Sequence, residues 1–483
     1  MGVGQFVRQW VPAIVLAVAA FAVWQAAERR DTDVVSVDPV AYERSPQTPI
    51  LSARRVPRTI QAPVVDAGLS PRLSAMISDS PDTSCLLVQV DDRVIEPVSD
   101  PDVGLVPASN QKLLTTYGAY LVLGSDFTYV TRVAADTTPV GGVVEGNLYF
   151  IGAGDPFLST EEWWTQYGDD LDGRHHTRLE DLADEIATAG ITEVTGTVVG
   201  DETLFDTERQ GLWAERLING KNSGPLSALT VNEGFNDWPE EFVSVRQRSE
   251  TDDPPVHAAS VLIQLLGERG VTVANPATSG QAPGAAIEVA QVQSPPLLDL
   301  LTHINSYSSN LGAELLLKRL GWERAGEGSA EAGAAVLIDV LEAEGIPTSG
   351  LRIDDGSGLA ETNLLTCRAV AAVLAAAGPD SEFAATLAIA GERGTLAERM
   401  VDTPAAGAVF AKTGTLQDAT ALSGYAQSAN DPAIDVVFAY IANEPLIQTN
   451  QPVIDLQDAF ATALTSYPGR PSVAELSPLP PEP

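Results

Sequence analysis

The sequence predicts a mixed α/β catalytic unit interrupted by a large β-rich insertion. Three observations predict it. Short apolar strands stand near both ends of the globular stretch, at Ser84–Val90 and again at 409–412, 421–426 and 436–441. Helical patterns, apolar at three- and four-residue spacing, follow Pro107, occupy 297–319 and 329–344, and resume near Thr366. Between them, from about 139 to 290, short strands and turns prevail, as at 142–151 and 195–199.

The termini frame this unit. Arg8 precedes an apolar run from Trp10 to Ala27, and Val11 to Trp24 carries no charge. That is the length of a signal-peptide core or a marginal single span, and the basic residue ahead of it favours a start retained inside the cell. A run apolar on every face is a poor core helix, because it needs burial on every side. Residues 1–30 are therefore expected to be a signal peptide or membrane anchor, which places the remainder outside the cytoplasm. Residues 31–63 are polar, carry prolines and lack periodicity, as a linker does. The tail 468–483 has six prolines in sixteen residues and reads as disordered. The catalytic unit is then expected at 64–138 and 291–467, with inserted domains at 139–290. After Ser84–Val90, residues 93–98 are suited to a hairpin partner.

Composition excludes several classes of function. The formal charge is −37 over 483 residues, so nucleic acid is repelled and no basic patch is available for anionic lipid. Any membrane contact is left to the N-terminal segment. His175, His176, His257 and His303 do not fall at metal-ligand spacing with each other or with the cysteines, so neither a metal nor another cofactor is expected. Cys85 and Cys367 pair as one disulfide if the chain is exported, and are two small core residues if it is not. The chain has only four lysines, Lys112, Lys221, Lys318 and Lys412, and otherwise uses arginine. Arginine stays protonated, whereas a buried lysine can lose its proton, so each lysine is a candidate for chemistry.

Two of the four lie in motifs with a chemical logic. In Ser109-Asn110-Gln111-Lys112, Pro107-Ala108 precedes a helix start, and residues three apart share a helical face. The Lys112 amine can reach the Ser109 hydroxyl and serve as its base, provided burial and a neighbouring cation such as Lys412 depress its pKa. Lys412-Thr413-Gly414-Thr415 ends an apolar strand. A cation and hydroxyls there suit a substrate carboxylate, and Gly414 permits close backbone approach. The N–H groups of Ser109 and Thr415 are candidate oxyanion donors; losing one such donor typically costs about 10²–10³-fold in rate. Ser308-Ser309-Asn310 stands before a helix start near Leu311. Ser308 is suited to relay a proton to a leaving amine, and Asn310 to hold Lys112 and a substrate amide.

With these motifs in this order, the chain resembles the class C low-molecular-mass penicillin-binding proteins, the D-Ala-D-Ala carboxypeptidase/endopeptidase family. The resemblance spans roughly residues 70 to 465. It includes the segment from Leu105 to Thr116, the glycine-rich Leu148 to Pro156, and Ser227 to Glu233. It also includes Asp355-Gly356-Ser357-Gly358-Leu359 and Ala390 to Leu396. It implies a β-lactamase/transpeptidase-like α+β domain with a two-domain insertion between the first and second motifs. Ser308 stands 199 positions after Ser109, a gap far longer than in β-lactamases. It further implies a serine peptidase of the cell envelope, acting on peptidoglycan peptides and inhibited by β-lactams. Asp201 and Phe205 resemble the insertion segment that reaches the substrate pocket. One position departs from the pattern: where the family often has arginine, two residues after Leu359, this chain has Glu361. A carboxylate there repels a free-acid side chain on the peptide's third residue, so an amidated or cationic one is expected.

Two other readings use the same residues: a β-lactamase or esterase, and a silent peptidoglycan-binding protein. Slow against rapid turnover of penicillin separates the first from a carboxypeptidase. The intact Ser109, Lys112 and Lys412 argue against the second.

Overall fold

The computed structural model describes residues 15–26, 57–91, 93–95, 100–166, 174–236, 248–431 and 434–469. The chain divides after Gln61 into an N-terminal stretch and a large body. In the former, residues 15–26 are helical with exposed apolar side chains such as Leu16, Phe21 and Trp24. No described helix is long and apolar enough to cross a membrane. The rest of residues 1–30, and 31–56 of the expected linker, lie outside the described residues, as does the tail from 470. The linker expected to reach residue 63 stops earlier, because Pro57–Met76 is a helix. Its prolines mask an apolar stripe of Val65, Leu69 and Leu73, continued by Ile77, that is buried in the body's core.

An antiparallel sheet of six strands organises the body. Its order is Ala388–Ile389, Val409–Leu416, Ala419–Gln427, Asp435–Asn443, Ser84–Val90 and Arg93–Ile95. The chain's first strands thus pair with its last, and the sheet is buried on both faces. Alternate residues of one strand feed opposite cores: Cys85 and Leu87 face one, Leu86, Val88 and Val90 the other. The first core is covered by the helices Gln111–Leu123, Leu297–Tyr307, Asn310–Ala325, Ala330–Ala343 and Cys367–Ala377. The second is covered by Pro57–Met76 and Gln451–Leu464. Two-sided burial explains why these strands read as near-continuous apolar runs rather than as alternation.

The sequence pattern over 297–319 resolves into two helices. Ser308 adopts a left-handed conformation (φ 63°) between them, and the Ser309 hydroxyl accepts the Gly312 N–H to cap the second. The hairpin strand expected at 93–98 is described only at Arg93–Ile95.

The β-rich insertion has its own core, built around Val133, Phe150, Leu182, Val198 and Leu262. Its five-stranded sheet runs Thr278–Ser279, Val198–Asp201, Leu148–Ile151, Val130–Ala135 and Ile287–Gln293. The two outermost strands in sequence, Val130–Ala135 and Ile287–Gln293, pair antiparallel with each other. The insertion's sheet therefore takes in Val130 to Gln293, beyond 139–290. Its turn-rich composition begins only after the first strand, which is why that strand reads as part of the flanking unit.

Cys85 and Cys367 form a disulfide across 282 positions, with Cα atoms 6.1 Å apart, joining a central strand to the N-terminus of the helix Cys367–Ala377. A cross-link closing so long a loop restricts the unfolded chain. Replacing both residues by alanine is expected to lower stability by about 2–4 kcal/mol, read as a lower midpoint in guanidinium denaturation with activity retained under native conditions.

Candidate active site

The nucleophile turn is a backbone arrangement held by its neighbours. Pro107 leads into Ala108, which is fully buried at φ 47°, a left-handed conformation that costs a non-glycine residue about 1–3 kcal/mol. A short turn, Ala108–Asn110, then runs into the helix Gln111–Leu123. Two glycines allow the surroundings to close on this turn. A Cβ at Gly358 (φ 84°) would stand 1.9 Å from the Ala108 carbonyl oxygen, and one at Gly414 would stand 2.8 Å from the Pro107 carbonyl oxygen and 3.2 Å from the Ser109 nitrogen. Gly414 thus admits the protein's own nucleophile turn, a tighter approach than the one expected for substrate alone.

Lys112 is fully buried. Its Nζ donates to Ser109 Oγ at 3.0 Å, to Asn310 Oδ1 at 2.7 Å and to the Ser357 carbonyl at 2.7 Å. An ammonium has three N–H groups and three acceptors here. A neutral amine has two N–H groups and one lone pair. With Asn310 and Ser357 accepting those two, the lone pair is left facing the Ser109 hydroxyl. Burial lowers the Lys112 pKa to about 7, against the opposing pull of Asp355 and Glu314. The neutral amine is therefore available near neutral pH.

Lys412 lies on the other side of the site, also fully buried. Its Nζ donates to Ser308 Oγ at 2.9 Å and to the Thr413 carbonyl at 3.1 Å. Burial, and then the Lys112 charge, hold its pKa well below the ordinary lysine value. Asn310 bridges the motifs, accepting from Lys112 and donating through Nδ2 to the Asn222 carbonyl of the insertion at 2.6 Å. Ser109, Lys112, Ser308, Asn310 and Lys412, from three distant parts of the sequence, form one cluster. Thr413 and Thr415 alternate with Lys412 and Gly414 along the strand, Thr413 half-buried and Thr415 exposed. The short strand Ala388–Ile389 pairs only with Phe410 and Ala411, so it does not extend along 412–416. Thr413 Oγ1 donates to Thr395 Oγ1 at 2.9 Å.

The remaining candidates serve differently. Both Asp201 oxygens are engaged locally, Oδ1 by the Thr203 N–H and hydroxyl, Oδ2 by the Ala282 N–H. Phe205 is buried in an apolar cluster with Ala108, Leu311 and Leu359, beneath the site. Glu361 is partly exposed and forms an ion pair with Arg216 of the insertion. It lines a cavity of about 380 Å³ together with Leu416, Asp418, Asn443 and Glu444. A second cavity, of about 300 Å³, opens beside Ser308 and Asn310 and is walled by insertion residues including Lys221, Asn222 and Ser223.

The sequence reading missed the groups that hold Lys112 from behind. Glu314, one turn after Asn310, accepts the Gly356 and Ser357 N–H groups at 3.2 and 3.1 Å. Asp355 accepts from Gly358 N, Ala360 N, Asn363 Nδ2 and, at 3.2 Å, the Trp213 indole. The segment Asp355-Gly356-Ser357-Gly358-Leu359 stood out without a role. Glu314 gave no sequence signal beyond its four-residue offset from Asn310.

The model of the D-Ala-D-Ala carboxypeptidase 3 (S13) family matches residues 92–238 and 238–465. The chain belongs to this family. The D-alanyl-D-alanine carboxypeptidase of Actinomadura sp. strain R39 is 30% identical over 460 residues, covering 79% of this chain and 81% of that one. Carboxypeptidase DacB of Mycolicibacterium smegmatis is 30% identical over 355 residues, covering 71% and 72%. Among solved structures, penicillin binding protein 4 of Haemophilus influenzae superposes with a TM-score of 0.68 at 21% identity, covering 82% of this chain and 99% of that one. It has also been solved complexed with a β-lactam, with a TM-score of 0.63.

A base with a pKa near 7 fixes a pH dependence. Lys112 must be unprotonated to accept the Ser109 proton, so acylation by benzylpenicillin is expected to rise with pH and level off above about 7. Well below that pH it should fall about tenfold per unit. Stopped-flow labelling between pH 5 and 9 reads this directly. Lys112→Ala should reduce the plateau by about 10²–10⁴-fold, and Ser109→Ala should abolish labelling.

Proposed function

We propose that this chain is a serine-type D-Ala-D-Ala carboxypeptidase of the cell envelope, with Ser109 as nucleophile and Lys112 as its base. The observation that carries the reading is the 3.0 Å contact between Ser109 Oγ and the buried Lys112 Nζ, flanked by the Lys412–Ser308 pair at 2.9 Å. Ser109 Oγ attacks the carbonyl between the two D-alanines while Lys112 takes its proton. The C–N bond breaks, and the leaving amine receives a proton by way of Ser308. Water then adds to the ester and Lys112 accepts its proton. The C–O bond to Ser109 breaks as Oγ is reprotonated, releasing the shortened peptide. The Ser109 and Thr415 N–H groups face the developing oxyanion, a role supported by Gly414 packing against the Ser109 nitrogen. Lys412, Thr413 and Thr415 receive the terminal carboxylate. A β-lactam acylates the same serine.

A D,D-endopeptidase uses the same steps with a cross-linking amine as leaving group. The cavity beside Ser308 and Asn310 favours this second reading, because it leaves room beyond the proton-relay side of the site. Action outside the cytoplasm is supported by the apolar N-terminal run and by the Cys85–Cys367 disulfide, a bond of oxidising compartments.

Glu361, Asp418 and Glu444 give the 380 Å³ cavity at the end of the Lys412 strand three carboxylates. They favour an amidated or ammonium-bearing third residue over a free acid.

Purified protein incubated with uncross-linked and cross-linked muropeptides is expected to release D-alanine from the former, followed by mass spectrometry. Cleaved cross-links would add the endopeptidase activity; neither product, with Ser109 intact, would overturn the reading. Among pentapeptides, amidated and lysine-containing substrates are expected to turn over faster than the free diaminopimelate acid. The reverse order would remove Glu361 from specificity.

A further inference from the structure

Lys112 needs more than burial to act as a base: its lone pair must point at Ser109. Two acceptors impose that direction, Asn310 Oδ1 and the Ser357 carbonyl, each at 2.7 Å. Asn310 is anchored at the start of the helix Asn310–Ala325. The Ser357 carbonyl belongs to a loop, which needs its own anchor.

That anchor comes from the same helix. Glu314 lies four residues after Asn310 and therefore on the same face. It is essentially inaccessible to solvent. Its Oε2 accepts the Gly356 N–H at 3.2 Å and its Oε1 the Ser357 N–H at 3.1 Å. Gly356 lets the loop lie on the helix, since a Cβ there would stand 2.3 Å from the Ala313 carbonyl oxygen. Asp355 fixes the other end of the loop through Gly358 and Ala360. One helix face thus presents one Lys112 acceptor directly and the other through a carboxylate clamp.

We propose that Glu314 is a positioning residue for the Lys112 base, setting the Ser357 carbonyl so that the amine lone pair is turned to Ser109. This rests on Lys112 being the base. The charged groups acting on Lys112 among the described residues are Asp355 from the loop and Glu314 from the helix, while Lys112 itself lowers the pKa of Lys412 on the strand. Burial, then the Asp355 carboxylate, raises the Glu314 carboxyl to about 8, while the two N–H groups and Lys112 pull it down. Loosening the clamp removes an acceptor from the ammonium form and, where Glu314 is ionised, a stabilising charge. Both changes lower the Lys112 pKa.

The test is the pH profile of Ser109 acylation by benzylpenicillin in Glu314→Gln, whose amide can satisfy only one of the two backbone donors. Its plateau rate is expected to fall about 10–100-fold, the scale of a misaligned reacting pair. Its acidic limb should move to lower pH by about one unit, the equivalent of one hydrogen bond to a charged group. The pre-acylation dissociation constant should stay unchanged. Glu314→Asp keeps a carboxyl group to accept the backbone N–H groups and is expected to hold the limb nearer its wild-type position. A limb that does not move, with a rate loss matching only the loss of folded protein, overturns the proposal. If Glu314→Gln does not fold, Gly356→Ala displaces the same carbonyl without changing charge and is held to the same criterion, a lower plateau with the limb displaced. Wild-type protein that fails to acylate at any pH would instead refute Lys112 and Ser109 as the catalytic pair, a separate outcome.

Discussion

The protein depends on keeping Lys112 out of water while leaving it hydrogen-bonded. A lysine ammonium is strongly hydrated, and burial penalises the charged form. The site turns that penalty into reactivity by bringing the pKa to about 7. Full burial alone would leave an amine with no defined direction. Asn310 Oδ1 and the Ser357 carbonyl supply the direction, and the Ser109 hydroxyl on the nucleophile turn is the third group around Nζ. Lys412 nearby is a second fully buried lysine and donates to Ser308 Oγ.

Much of the surrounding architecture answers this constraint. The six-stranded sheet, buried on both faces, gives the Lys412 strand a rigid seat. The helices on one face bring Ser109, Ser308 and Asn310 to the edge of that strand. Left-handed Ala108 and Ser308 are non-glycine residues in costly conformations, both next to reacting groups. Gly358 and Gly414 let neighbouring backbone press on the nucleophile turn. The insertion also bears on the site directly. Asn222 accepts from Asn310, the Trp213 indole donates to Asp355, and Arg216 pairs with Glu361. A β-rich domain inserted between two catalytic motifs therefore helps to shape the cleft as well as occupying sequence.

Acidity acts at two levels. The chain's net charge of −37 bears on its solubility and its partners. The buried carboxylates of Glu314 and Asp355 are different. Each accepts backbone N–H groups of the 356–360 loop, and both oppose the effect of burial on the Lys112 pKa. Exposed Glu361 belongs to a third setting, an ion pair with Arg216 at the cavity rim.

The sequence by itself singled out Ser109, Lys112, Ser308 and Lys412 as the candidates for nucleophile, base, relay and carboxylate anchor. Those roles require particular residue types at short spacings, and short spacings survive in one dimension. Lysine scarcity made Lys112 and Lys412 easy to single out. The mixed fold with its insertion was legible from where strands and helices cluster. The helix Pro57–Met76 was hidden by its prolines, and the insertion's first strand by its ordinary composition. Tertiary structure alone decided that Cys85 meets Cys367, that Asp201 and Phe205 are engaged in turn and core, and that Glu314 clamps the Ser357 loop. These are contacts between residues far apart in the chain or between a side chain and another segment's backbone. No local periodicity encodes them, because they exist only once segments distant in the chain have packed together.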